Sequence, residues 1–299
     1  MSGARHAQGL VVAAHRRHFT VHVDGGSEAR CVIRGRSLSP ACGDRVDLSL
    51  AAGDDGVILR VAPRTSVIFR SDAHREKVVA ANVSQVLAVV AADPPYDNEL
   101  VQRWIVAAEA SRCRFILAAN KSDLPQFARI EPRLALVEAL GYRVVRLAAS
   151  RNTSPLEPAL RGERSVLIGQ SGMGKSTIVN AIAPGANARV GDVSIALHAG
   201  RHTTSETHLY PIDGASWIVD SPGMRAFGLA HLDRASIEHA FVEVRPYLGH
   251  CRFRDCRHAQ EPGCAVRDAV AAGLVAPWRF ELMKTLVNEA DANALNARG

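Results

Sequence analysis

Two short motifs stand in this chain in reversed order, and that order leaves few folds open to it. Gly169-Gln170-Ser171-Gly172-Met173-Gly174-Lys175-Ser176 fits G-x-x-x-x-G-K-[ST] at every fixed position. Asn120-Lys121-Ser122-Asp123 fits Asn-Lys-x-Asp and lies upstream of the glycine-rich loop, whereas conventionally ordered domains carry it downstream. A nucleotide site needs its loops only to converge in space, so a fold tolerates chain ends moved elsewhere. The inversion reads as a circularly permuted nucleotide-binding domain.

Each motif has a physical task. In the loop, successive backbone N–H groups point at phosphate oxygens at the positive end of the following helix, which Thr177 helps to open. Lys175 places a charge by the β- and γ-phosphates, and the Ser176 hydroxyl is expected to be a magnesium ligand. The loop alone does not separate ATP from GTP. Asn120 and Asp123 do, because a carboxylate accepts from both N1–H and the 2-amino group of guanine, and adenine offers no such pair. Leaving that carboxylate unpaired is costly. The Lys121 stem can lie along the base plane.

Asp220-Ser221-Pro222-Gly223 fits D-x-x-G. Asp220 is expected to hold magnesium through water, and the Gly223 N–H to meet the γ-phosphate. Between the motifs lies the polar segment Gly200-Arg201-His202-Thr203-Thr204. One hydroxyl, of Thr203 or Thr204 with Thr204 favoured, completes the magnesium shell and makes the segment a switch. Met224 follows Gly223, where Ras-like enzymes place the glutamine that orients attacking water. A thioether cannot do this, so slow intrinsic turnover is expected. His202 is the best local substitute, joining Lys175 and Thr204 as catalytic residues; a solvated loop histidine is the plain alternative.

The flanking patterns give the fold class. From residue 9 to 70, five short β-rich runs are broken by Asp24-Gly25-Gly26, Ala41-Cys42-Gly43-Asp44 and Gly53-Asp54-Asp55-Gly56. They fit a small antiparallel barrel of OB type, or equally an SH3-like one. From residue 83, strands alternate with helices, which implies a mostly parallel sheet with ligands at the strands' C-terminal ends. The last stretch of about 60 residues reads as helical around a cysteine cluster. The expected domains are 1–72 (barrel), 73–230 (permuted α/β domain) and 231–299 (helical, metal-binding).

In that cluster Cys251, Cys256, His258 and Cys264 offer three thiolates and an imidazole within fourteen residues. Cys₃His is a tetrahedral zinc set, and four protein ligands make a closed, structural site. His250 competes, but its adjacency to Cys251 strains joint chelation. Arg252, Arg254, Arg257 and Arg267 surround the site and could meet phosphates or form a solvated face. Cys31, Cys42 and Cys113 are scattered and read as small core residues.

Composition adds limits. Net charge is +6, and residues 1–75 hold eleven arginines against seven acids, so most of the excess sits at the front. Lys77, Lys121, Lys175 and Lys284 are the only lysines, an arginine preference that fits a GC-rich genome. No apolar run reaches the roughly 18 residues of a membrane span, and no signal peptide is evident. A cytoplasmic protein with no membrane partner is expected.

With barrel, inverted motifs and cysteine cluster in that order, the chain resembles the RsgA (YjeQ) family of small ribosomal subunit biogenesis GTPases. The matched stretches are Gly43-Asp44-Arg45-Val46, Pro63-Arg64, Asn120-Lys121-Ser122-Asp123, the phosphate loop, Gly200-Arg201-His202-Thr203-Thr204, Asp220-Ser221-Pro222-Gly223 and the cysteine cluster. The resemblance implies an OB domain, a permuted GTPase and a zinc domain, with GTP and GDP as ligands. It also implies binding to the immature small subunit, whose rRNA stimulates hydrolysis. A monomer is expected. Where the family usually carries a Ser-Ala pair whose backbone touches guanine O6, this chain has Ala148-Ala149-Ser150-Arg151. A GTP-dependent RNA-binding assembly factor with negligible hydrolysis of its own stands as the alternative.

Overall fold

Alternation of buried and exposed residues shapes the first unit. The computed structural model describes residues 5–15, 18–34, 38–51, 55–72, 75–183, 185–186, 207–221 and 229–296. Strands β1 (Arg5–Ala14), β2 (Phe19–Val23), β3 (Glu28–Ile33), β4 (Arg45–Leu50) and β5 (Asp55–Val61) turn Val11, Val21, Cys31, Leu48 and Ile58 inward. They pair in the order β1-β2-β3-β5-β4, and β4 returns to β1 from Arg5↔Leu50 to Leu10↔Arg45. Only β3 and β5 run parallel. This closed five-stranded path is the OB type rather than the SH3-like alternative.

One charged pair locks the barrel's mouth. Asp44 is fully buried and accepts from the Ala41 N–H (2.8 Å) and from Arg64 Nε and Nη2 (2.8 and 2.7 Å). Gly43 before it has φ +90°, and a Cβ there would run into the Ala81 carbonyl oxygen. Its neighbour Cys42 donates its thiol to the Thr207 carbonyl at 3.1 Å, and burial pushes that thiol up to about 12.

Past the barrel, β6 (Val67–Asp72) and β7 (Arg75–Ala81) form a separate antiparallel hairpin. The α/β unit then runs β8 (Gln85–Ala91), α1 (Asn98–Ala110), β9 (Arg114–Asn120), α2 (Glu131–Ala139), β10 (Arg143–Arg146), the single turn α3 (Glu157–Leu160), β11 (Arg164–Ile168), α4 (Lys175–Ile182), β12 (Thr207–Pro211) and β13 (Trp217–Asp220). Every residue of β8 is buried, as a strand covered on both faces requires. The order β10-β9-β8-β11-β13-β12 is parallel except for β12.

The two sheets are continuous, because β12 also pairs with β1 through Ala13↔His208 and Ala14↔Thr207. Helices α5 (Arg234–Ala240), α6 (Ala265–Ala271) and α7 (Pro277–Asn296) form the last unit. It docks on α1, whose Val106 joins the apolar cluster of Ile237, Phe241 and Met283. The fully buried Arg279 pairs with Glu243 (2.6 Å), donates to Gln102 of α1 (2.9 Å) and lies 4.3 Å from the Phe241 ring centroid. Arg103–Glu289 (2.7 Å) and Arg245–Glu109 (2.5 Å) rim the contact.

Arg64→Ala leaves the Asp44 carboxylate buried without its cation. We expect about 2–3 kcal/mol less unfolding free energy, at the low end for a broken buried pair because Arg64 is partly exposed. Urea denaturation measures this directly.

Candidate nucleotide site and metal centre

Strand ends bring the motifs together. Asn120 closes β9, Gly169 follows β11 and Asp220 closes β13, all at C-terminal ends of parallel strands. Asn120 is buried; its amide donates to the Met173 carbonyl (2.9 Å) and its oxygen accepts from the Ala149 N–H (2.9 Å). One side chain thus ties the tetrad, the phosphate loop and the 148–151 segment together. Gly174, the N-cap of α4, has φ +92°, and a Cβ there would collide with the Asn120 amide nitrogen. Glycine is required at that position both for conformation and for space.

Lys175 Nζ donates to the carbonyls of Gly169 (2.6 Å) and Gln170 (2.8 Å), curling over the loop it would complete around a phosphate. The Gln170 side chain accepts from the backbone N–H of Asp97 (3.2 Å), the residue that caps α1. Lys121, at φ +59°, donates Nζ to the Asp93 carbonyl at 2.7 Å, bridging the ends of β9 and β8. Asp123 meets the exposed Arg151 guanidinium, Nε to Oδ2 3.2 Å. Guanine presents a similar N–C–N donor edge, so the same carboxylate can take a base there. Sequence reading missed the contacts of Asp93, Asp97 and Arg151, which carry no local signature.

Asp220 is buried, and that burial raises its pKa; the charges of Lys175 and His208 act in the opposite direction. A cation at this carboxylate would relieve the cost of its charge. Beside it the buried Thr207 and Ser221 hydroxyls are 3.1 Å apart. Gly200, Arg201, His202, Thr203, Thr204, Gly223 and Met224 lie outside the described residues.

The cysteine cluster assembles as a cage. His258 Nδ1 lies 3.6 Å from the Cys251 and Cys256 sulfurs and 3.3 Å from that of Cys264, and the Cys251 and Cys264 sulfurs are 3.8 Å apart. Tetrahedral zinc, with Zn–S of about 2.3 Å and Zn–N of about 2.0 Å, demands S···S near 3.8 Å and S···N near 3.5 Å. The donor set is therefore compatible with a zinc ion. His250 stands outside the four-residue cluster. Burial pushes the Cys256 thiol up to about 12, raises Cys264 and lowers His258, so without a cation these groups favour their neutral forms. Cys31 and Cys113 are buried core residues, as their scatter implied, each thiol raised by burial to about 11.

Fold and site define the class: a circularly permuted P-loop GTPase between an OB-type barrel and a helical module with a Cys₃His cluster. The RsgA GTPase family model matches residues 61–230, and the chain belongs to that family. A small ribosomal subunit biogenesis GTPase RsgA of Burkholderia pseudomallei is 44% identical over 294 residues, covering 96% of this chain and 94% of that protein. Its counterpart in Nitrosospira multiformis is 43% identical, covering 96% and 92%. Among solved structures, YjeQ from Thermotoga maritima is similar at TM-score 0.74 and 28% identity, covering 96% of this chain and 99% of that one. YloQ, described as a circularly permuted GTPase, shares the fold at TM-score 0.69 and 21% identity over 96% of each chain. The chain is a GTP-hydrolysing enzyme.

Replacing Asp220 with Asn removes a charge that burial disfavours. The raised folded-state pKa means stability present below the ordinary carboxylate range is lost as pH rises through it. Asp220→Asn should therefore unfold at a higher temperature than wild type at neutral pH without nucleotide, the gain vanishing near pH 3, while magnesium-dependent hydrolysis collapses. Thermal scans across pH read the first effect and phosphate release the second.

Proposed function

We propose that this protein is a ribosome-stimulated GTPase that acts in late maturation of the small ribosomal subunit, binding rRNA and timing its own release by hydrolysing GTP. The observation that carries the reading is the convergence of Asn120, Lys175 and Asp220 on one edge of a sheet continuous with an OB-type barrel. Its relatives' name, small ribosomal subunit biogenesis GTPase, supplies the partner.

In this reading Asn120, Lys121 and Asp123 hold guanine, and the 169–174 backbone with Lys175, Ser176 and Thr177 cradles the phosphates. A magnesium ion bound with GTP would neutralise phosphate charge. Ser176, Asp220 and one of Thr203 and Thr204 would hold it. Lys175 swings from the Gly169 and Gln170 carbonyls to the β- and γ-phosphates, exchanging two neutral acceptors for charged ones. The Gly223 N–H meets the γ-phosphate, and in-line water attack releases phosphate. Met224 leaves water positioning to His202 or to the ribosome.

Three apolar cores accord with three units, proposed as 1–72, 73–230 and 231–299, with Leu10, Cys42 and Ile68 and the β6–β7 hairpin shared across the first seam. One structural zinc held by Cys251, Cys256, His258 and Cys264 would stiffen the last. Among the described residues no helix is long and apolar enough to cross a membrane. A ribosomal partner would place the protein in the cytoplasm, and we expect it to act as a monomer.

GTP turnover measured with small subunits, large subunits and buffer alone tests the timer. Stimulation by small subunits alone, on the order of tenfold or more, is expected. Met224 favours a second reading, a GTP-dependent RNA-binding factor with negligible hydrolysis, which no stimulation by either subunit would support instead. A flexible insert between Gly223 and Cys251 should abolish small-subunit stimulation while leaving GTP affinity intact. Unchanged stimulation would show that the short covalent path to the zinc module does not carry the coupling.

A further inference from the structure

Glu238 lies on α5, not in the cysteine loops, yet its side chain is mostly buried against the metal cluster. Its Oε1 is 3.9 Å from His258 Nε2 and makes no hydrogen bond among the described residues. The nearest cation, Arg234 one turn earlier, stands at ion-pair distance (3.5 Å) and is itself drawn to Asp291 at 2.5 Å. A buried carboxylate oxygen without a hydrogen bond is unfavourable enough to call for a reason.

The geometry of His258 supplies one. All three sulfurs face Nδ1, at 3.3–3.6 Å, so Nδ1 is the metal-facing nitrogen. A metal on Nδ1 fixes the tautomer: the neutral ring must carry its proton on Nε2, which then becomes an obligatory donor in a buried place. His258 is 4% exposed, so water cannot readily take that proton. Glu238 Oε1, which makes only a long ion pair with Arg234, is the acceptor beside it.

We propose that Glu238 is the positioning residue of the zinc centre, accepting the Nε2–H of His258 and so fixing the ring that delivers Nδ1 to the metal. The inference rests on the zinc reading above and adds to it a residue from outside the ligand sequence. A remaining approach of about 1 Å separates the pair from hydrogen-bond distance. Glu238 borders a cavity lined also by Arg234, Arg257, Met283, Lys284 and Asp291, so its carboxyl is not packed on every side. Partners of this kind set ring orientation and ligand basicity at zinc–histidine sites, and their loss typically costs 10–100-fold in metal affinity.

The link also changes what the metal holds. Through Glu238, zinc is tied to α5, the first helix after residues 222–228, and through Arg234 to Asp291 of α7. The ion then braces the packing of two helices as well as its own loop.

The test uses full-length protein. Elemental analysis of the wild type comes first, and one zinc per chain is expected; its absence would overturn the zinc reading and this inference together. Zinc release to an excess of chromogenic chelator is then timed for wild type, Glu238→Gln and Glu238→Leu. We expect release at least about tenfold faster for Glu238→Leu and an intermediate rate for Glu238→Gln, which keeps an acceptor oxygen. In ¹⁵N-histidine NMR spectra the His258 Nε2–H should be present and slow to exchange in wild type, and faster in both variants. Should Glu238→Leu not fold, Glu238→Gln against wild type decides the question. Equal release rates with zinc bound would overturn the role of Glu238 alone. So would a His258 protonated on Nδ1, or faster release with Nε2–H exchange unchanged.

Discussion

The Asn120 amide holds the nucleotide site together. Its oxygen takes the Ala149 N–H and its nitrogen gives to the Met173 carbonyl, so three segments separated by up to 53 residues are fixed by one buried side chain. That task cannot fall to sequence proximity, because α2, β10, α3 and β11 lie between strand β9 and the phosphate loop. Two neutral hydrogen bonds in a buried setting contribute about 1 kcal/mol each when made, and cost more when one partner is stranded. The close approach explains why Gly174 has no room for a side chain: any Cβ would displace the amide that anchors the loop.

A second constraint sits on the other side of α1. That helix sends Trp104 and Ile105 into the GTPase core and Val106 into the core of the metal-binding module. Arg279 is the polar counterpart of this shared packing, buried yet satisfied by Glu243, Gln102 and the Phe241 ring. The N-terminal cap of the same helix is held by Gln170 of the phosphate loop. The metal module thus rests on a helix whose first turn touches the nucleotide loop.

Motifs whose chemistry depends on close spacing were legible in the sequence. The phosphate loop, the Asn120 tetrad and the Cys₃His set each declare themselves within a few residues, and the inversion follows from their order. The barrel class was legible from strand alternation, but not the choice of OB over SH3-like, which rests on the β1–β4 closure and the parallel β3–β5 pair. Strand β12 escaped because Thr207–Pro211 has no apolar run, whereas the β6–β7 hairpin, with its apolar runs Val67-Ile68-Phe69 and Val78-Val79-Ala80-Ala81, straddles the boundary expected between the first two units. Helix α7 runs on to Asn296, its later turns held by Val287 and Ala290 in the apolar core and by ion pairs such as Arg103–Glu289 and Arg234–Asp291. Arg64 with Asp44, Arg151 with Asp123 and Glu238 with His258 are partners chosen by the fold, and no local pattern foretells them.

The pairing of β1 with β12 has a mechanical consequence. Residues 200–206, with their threonines, lead directly into β12, and β12 is hydrogen-bonded to the barrel. Residues 222–228 lead just as directly towards α5 of the metal module. Each of the two segments expected to feel the γ-phosphate is thus the root of a different arm. The protein is laid out like a pair of tongs, with the nucleotide at the pivot and the barrel and the metal module as its two jaws. Under the proposed function, loss of a single phosphate at the pivot would loosen both jaws at once, making release one concerted event instead of two independent ones.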